Sequence, residues 1–488
     1  MVEFFPASGP LVLLILAAIA IAIAIRVIMS RPTTGVGLAW LILVAAVPLI
    51  GAIVYLLIGE RRVGMRRGRK IAALRLDYAK LSQAAIGDGL TDIDWSRHPP
   101  AAERLDRLGR HTAGSPTVRG SQFKLYANTE EILQTIARDI DDAATSVLLE
   151  FYIWQEGGAA DLVFDALLRA AKRGVVCRVL VDSIGGRPWL SGVQPAQLRE
   201  AGIDVLPALP VGPLRAFFSR TDLRLHRKIV VVDGRVAWTG SMNLVDPRLF
   251  KQDEGVGQWV DAMVRLDGAA APLLGATMIG DWALESSESI YEIIEHAQLK
   301  LVEPNGPTDV QVVASGPVES KDGLLQMLLA LINAAHHRLV LTTPYLIPDP
   351  PMLLALRGAA GRGVKVTLIV PEVVDSFWAR HASRSYYDDL LEMGVEIRLF
   401  RDGLLHTKSI MADGTMSMFG TANFDYRSLW LNYEVALFIY GAEFAEQLGA
   451  LQESYIAASD KLDQVEWAKR SVGQQLVENT LRLASPLL

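Results

Sequence analysis

Cysteine is nearly absent from this chain. Cys177 stands alone, so no internal disulfide can form, and its place in the β-branched run 174–181 reads as a buried core thiol rather than a nucleophile. Charge is also scarce: charged residues make up 21% of the 488, hydrophobic residues 51%, and the mean hydropathy is +0.25. That balance excludes a disordered chain and is high for a soluble one, so membrane segments are expected. An overall positive field is missing too. Lys plus Arg number 48 against 54 Asp plus Glu, a net charge of −6, which removes the general attraction that gathers nucleic acid. The length allows about two to four domains and a large buried core.

The long uncharged runs lie at the start. Residues 4–25 carry no charge and 11–25 are wholly aliphatic, enough at ~1.5 Å per residue to cover the hydrocarbon core of a bilayer. A second uncharged stretch covers residues 32–59, with Pro48 inside it as an expected kink. The short link between them, from Arg26 to Arg31, reads as the turn of a helical hairpin. A cleaved signal peptide fits less well, because the first residues hold Glu3 and no Lys or Arg and a second apolar span follows directly. After the second span come Arg61, Arg62, Arg66, Arg67, Arg69 and Lys70. Two spans make a multi-pass protein, and the positive-inside rule then places its large C-terminal part in the cytoplasm.

Beyond residue 120 the chain repeats itself. Strand-like 146–154, helix-like 160–172 and strand-like 175–181 recur as 338–345, 352–362 and 364–370, with Arg173-Gly174-Val175 echoed by Arg362-Gly363-Val364. The expected fold class is α/β: two duplicated lobes, each a parallel sheet covered by helices, after an N-terminal transmembrane hairpin. The predicted division is 1–70 for the hairpin and basic flank, 71–120 for a linker and 121–300 for the first lobe. Residues 301–323 form a proline-containing connection, and 324–488 the second lobe and a C-terminal tail.

The repeat carries chemistry. His226-Arg227-Lys228 running to Asp233, and His406-Thr407-Lys408 running to Asp413, both fit H-x-K-x-x-x-x-D. At the same offset, Gly240-Ser241 matches Gly420-Thr421, Asn243 matches Asn423, and Glu254 matches Glu434. If each motif is a strand, alternation puts its His and Lys on one face and the residue between them on the other. A phosphodiester needs a nucleophile for phosphorus, donors for its nonbridging oxygens and an acid for the leaving oxygen, and two such sets supply them. Lysine is a poor metal ligand and no zinc-type cluster is present, so no metal and no cofactor are expected.

The duplicated motif with Gly-Ser/Thr-x-Asn behind it resembles the phospholipase D superfamily. Within it the chain is similar to the bacterial cardiolipin synthases that carry two N-terminal transmembrane segments, through residues 150–154, 240–259, 406–408 and 427–432. The resemblance implies transfer of a phosphatidyl group from one phosphatidylglycerol to another through a phosphatidyl-histidine, giving cardiolipin and glycerol. It implies His226, Lys228, Asp233, His406, Lys408 and Asp413 as catalytic residues, and Asn243, Asn423, Ser241 and Thr421 as phosphate-binding residues. Glu254 or Glu434 would orient an imidazole, and either histidine would serve as the attacking one. The implied partners are phosphatidylglycerol and the bilayer, without nucleic acid. A membrane-bound hydrolase would use the same residues with water as acceptor, and a non-enzymatic scaffold would be expected to have lost a motif residue. Residues 206–218 and 376–387, apolar or aromatic with interspersed Arg, are candidates for the lipid entrance.

Overall fold

The computed structural model describes residues 9–32, 34–59, 65–212, 220, 222–317 and 322–485. Two compact units result: Met1–Gly68 with Val211–Leu223, and Arg69–Pro210 with Arg224–Leu488.

In the first unit a helix spans Gly9–Met29 and turns at residues 30–32, where Arg31 adopts a positive φ. The second apolar stretch is not one helix. It runs as Thr34–Ala46, Pro48–Val54 and a π-helical turn Tyr55–Gly59, broken at Val47 because Pro48 has no N–H and its ring crowds the preceding turn. Only Val12–Met29 is long and apolar enough to cross a membrane by itself among the described residues. The helices pack through Ile23, Val27, Val44, Ala52 and Tyr55, with Trp40 edge-on to Tyr55. Leu13, Leu14, Ile21, Ile25 and Ile28 stay exposed, a surface suited to lipid. Arg61, Arg62 and the side chain of Arg66, half of the basic flank, lie outside the described residues.

The larger unit is built on one 15-stranded mixed sheet, where the sequence reading expected one sheet per half. In the first half Ser146–Phe151, Val176–Asp182 and Asp204–Ala208 are parallel, as the βαβ pattern demands. The motif strand Ile229–Val232 then adds antiparallel to Ser146–Phe151, and Val236–Gly240 and Met263–Gly268 follow it. The second half repeats this order with Arg338–Thr342, Lys365–Pro371, Glu396–Phe400, Ser409–Ala412, Met416–Gly420 and Glu434–Tyr440. Thr117–Tyr126 and Thr308–Ser315 pair antiparallel and join the two halves. Thr308–Ser315 therefore belongs to the sheet although it lies in the stretch assigned to the connection; its alternating Val310 and Val312 were outweighed there by the surrounding prolines.

Helices cover both faces, so the motif strands Ile229–Val232 and Ser409–Ala412 are buried throughout and read as continuous apolar runs. Cys177 is buried, and burial pushes its thiol up to about 12, which leaves it unreactive. The tail beyond Asp460 is two helices, Gln464–Ala468 and Val472–Leu483, anchored by buried Trp467 and Leu481.

Candidate active site

Each motif enters the site just before its strand. His226 and Lys228 precede Ile229, while Arg227 points the other way, onto Asp281 and the carbonyls of Glu434 and Ser315. In the second half His406 and Lys408 precede Ser409, and Thr407 turns to the hydroxyl of Tyr455 at 3.0 Å. All four His and Lys residues are buried.

The halves interlock at the histidines. The His226 backbone N–H donates to Tyr433 O at 2.9 Å, and its Nδ1 lies 2.9 and 3.0 Å from the two oxygens of Glu434. Reciprocally, the His406 N–H donates to Val260 O at 2.8 Å and its Nδ1 lies 2.7 Å from Asp261 Oδ1. Each imidazole is thus held by a carboxylate of the other half. The carboxylate fixes Nδ1 as the protonated nitrogen and leaves Nε2 for chemistry. Short parallel pairings support the exchange: Trp259–Val260 lies beside Leu404–Leu405, and Leu225 bridges Tyr433. Gly403 allows this approach, since a Cβ there would sit 2.2 Å from Gln258 O.

The flanking Gly-Ser/Thr pairs have a related task. A Cβ on Gly240 or Gly420 would stand 2.4 Å from Ala262 O or 2.3 Å from Val435 O, on the strands that follow the two carboxylates. The next residues, Ser241 and Thr421, donate from their hydroxyls to Asp261 Oδ1 and Glu434 Oε2, both at 2.6 Å. The structure therefore puts Ser241 and Thr421 on the orienting carboxylates, where phosphate contact had been expected. Asn432 adds a 3.2 Å hydrogen bond to Glu434.

Glu254 does not share that place. It is exposed and pairs with Lys251 at 3.1 Å. Twenty residues separate Ser241 from Asp261 but only thirteen separate Thr421 from Glu434, so a fixed offset lands on the wrong carboxylate. Strand register identifies the right one: Gly240 faces Met263 and Gly420 faces Ala436, and two residues before each partner lie Asp261 and Glu434. Asp233 and Asp413, expected among the catalytic residues, sit at the other ends of the motif strands in left-handed turns. Asp233 accepts from the backbone N–H groups of Ala144, Thr145 and Ser146, and Asp413 from those of His336, His337 and Arg338. At ~3.3 Å per residue each stands roughly 20 Å from its histidine, so these aspartates fasten the sheet. Asn243 Oδ1 accepts from Ile153 N, and the Asn423 side chain donates to Asp425.

Burial dominates the electrostatics. It pushes both imidazoles down to about 4; Lys228 and Lys408 act in the same direction and the paired carboxylates oppose it. Burial also brings Lys228 down to about 8, against the pull of Glu434 and Asp261, and holds Lys408 well below the ordinary ammonium value. For Glu434 and Asp261 burial acts upward, but the imidazoles and lysines outweigh it and keep both low. Two charged carboxylates therefore stand behind two imidazoles that are neutral near pH 7. An arriving phosphodiester brings one further negative charge, which favours protonating one imidazole. Tyr152 stacks edge-on against His226 at 5.1 Å, and the Trp259 ring lies 4.4 Å from that of His406; neither aromatic was singled out in the sequence for this position. Residues 213–218, six of the thirteen in one expected entrance segment, lie outside the described residues. The other forms a helix, Phe377–Arg384, capped by Ser376.

Known proteins match along the whole chain. The family described as cardiolipin synthase, PLD-like domain, matches residues 136–261 and 328–455, and the phospholipase D-nuclease N-terminal family matches 15–60. Cardiolipin synthase A of Erwinia tasmaniensis is 42% identical over 470 residues, 95% of each chain. Cardiolipin synthase A of Klebsiella pneumoniae is 39% identical over 494 residues, covering 100% of both. Among solved structures, phosphatidylserine synthase of Haemophilus influenzae superposes with a TM-score of 0.60 at 16% identity, over 79% of this chain and 100% of that one, a likeness of fold.

Proposed function

Because the chain belongs to the cardiolipin synthase family of the phospholipase D superfamily and is a phosphatidyltransferase, we propose that its two motifs make cardiolipin from two molecules of phosphatidylglycerol at the one site they share. The observation that carries this reading is the reciprocal pinning of His226 by Glu434 and of His406 by Asp261. In the first step Nε2 of one histidine attacks phosphorus, a P–N bond forms, and the P–O bond to the headgroup glycerol breaks. The other imidazole, protonated, gives its proton to the departing glycerol oxygen. In the second step that imidazole, now neutral, takes the proton from the terminal hydroxyl of a second phosphatidylglycerol. The hydroxyl oxygen attacks phosphorus, the P–N bond breaks, and cardiolipin leaves.

Lys228 and Lys408, with Asn243 and Asn423, hold the nonbridging oxygens, where they stabilise the charge that builds in the transition state. Glu434 and Asp261 keep each imidazole in its reactive tautomer, as Ser241 and Thr421 keep the carboxylates in place. No metal enters these steps. The N-terminal stretches 9–29 and 34–59 cross the inner membrane twice, and the basic residues after the second leave the catalytic unit in the cytoplasm.

The test is a lipid analysis of the full-length protein incubated in detergent with phosphatidylglycerol and a chelator. Cardiolipin and glycerol in equal amounts are expected. Phosphatidic acid alone would make the protein a hydrolase, and activity abolished by the chelator would overturn the metal-free route.

A further inference from the structure

We propose that a rim of exposed apolar side chains around the active-site mouth, Leu249 from the first half with Val373, Phe377 and Trp378 from the second, inserts into the bilayer surface and delivers lipid headgroups to the two histidines. The inference rests on the lipid substrate proposed above. Large apolar side chains are seldom left in water as a group, and these are 54%, 38%, 58% and 56% exposed.

Their place relative to the chemistry makes the argument. Leu249 immediately precedes Phe250, which packs edge-on against Trp259 at 5.0 Å, and the Trp259 ring lies 4.4 Å from that of His406. From the other half, Asp375 ties the segment carrying Val373, Phe377 and Trp378 to the same spot. It pairs with Lys251 at 3.4 Å, and Lys251 lies over the Trp259 ring at 5.6 Å. Both exposed groups are thus within one to three residues of a short chain of contacts ending on a catalytic imidazole. Phe377 is further braced against His381 at 4.2 Å, and exposed Arg380 follows on the next turn of the same helix.

Aromatic rings beside a basic residue suit the boundary between acyl chains and anionic headgroups. A diacyl lipid also sets a geometric demand: its phosphate must reach buried histidines while its chains remain in hydrocarbon. An apolar rim pressed into the bilayer meets both needs, because a headgroup then enters the mouth without its chains passing through water.

The test uses the full chain reconstituted in phosphatidylglycerol-containing vesicles, with nitroxide labels at Leu249→Cys, Trp378→Cys and, as a reference, Lys172→Cys. Lys172 is exposed at the end of the helix Asp161–Lys172, next to where Val176–Asp182 begins, and the site lies at the other end of those strands. The rim labels should collide preferentially with oxygen and the reference label with a water-soluble nickel reagent. Rim labels that respond like the reference would overturn the proposal, and so would spin–spin coupling showing a second copy of the chain on the rim. Trp378→Asp and Val373→Asp then supply a functional reading. Their loss of cardiolipin formation on vesicles should exceed their loss on monomeric short-chain phosphatidylglycerol at least tenfold. Equal loss on both substrates, or none, would contradict a docking role. A wild-type protein that makes no cardiolipin from either substrate would instead refute the functional reading, while the label accessibilities stand on their own.

Discussion

The two halves perform one task with unequal parts. His226 is held by the longer Glu434, which also receives Thr421 and Asn432, whereas His406 is held by the shorter Asp261, which receives Ser241. Between His and Lys the first motif carries Arg227, wired to Asp281 and two carbonyls; the second carries Thr407, with one hydroxyl contact to Tyr455. The repeat keeps its His and Lys pairs and lets their supports diverge. The lesson is that the reacting atoms constrain geometry at Nε2, and several side-chain combinations behind Nδ1 satisfy it.

Removing the supports should break the comparison most strongly. Glu434→Gln and Asp261→Asn keep shape but lose the charge that fixes the tautomer, and each is expected to lower kcat/KM for cardiolipin formation by about 10²- to 10⁴-fold. A loss confined to one of them would mean that only one imidazole needs its carboxylate. Next comes Arg227, whose buried guanidinium leaves Asp281 unpaired when removed. Arg227→Met should destabilise the protein by about 3–5 kcal/mol in thermal unfolding, against about 1 kcal/mol for Thr407→Val. Equal losses would deny the first motif its heavier anchoring. Exchanging the carboxylate lengths, as Glu434→Asp with Asp261→Glu, should reduce turnover by about tenfold, the range for disturbed orientation; an unaffected rate would show that the site tolerates either length on either side.

The mildest lever is pH. Below about 4 both imidazoles become protonated, and above about 8 Lys228 loses its charge. kcat/KM should therefore peak near the lower value, where one imidazole is neutral and the other protonated, fall as pH moves away from it on either side, and fall further beyond the upper one, as a rate profile on phosphatidylglycerol would record. For stability, each imidazole moves from 6.5 when unfolded to about 4 when folded. The unfolded chain binds more protons between those values, so stability falls as pH drops through that window.

Much of this was legible in the sequence because it depends on local spacing. The motif pairs, their strand context and the opposite orientation of Arg227 follow from a period of two. What stayed hidden depends on long-range register. Asp261 shares a site with His406 across 145 residues, and a seven-residue difference in the connecting loops shifted the offset onto Glu254. Asp233 and Asp413 repeat as faithfully as the histidines, yet they repeat because each turn must be tied to the start of the neighbouring strand; recurrence alone does not separate a structural carboxylate from a reacting one. The single joined sheet was hidden likewise, since the pairing of Thr117–Tyr126 with Thr308–Ser315 joins segments almost two hundred residues apart.

The central claim is that two motifs make one site, and the most direct measurement is the residual rate of cardiolipin formation in His226→Ala and His406→Ala, each alone and then mixed. With one shared site each variant should fall by about 10³-fold or more, and mixing them should restore nothing. Each variant keeping about half of the wild-type rate would show two independent sites and contradict the account.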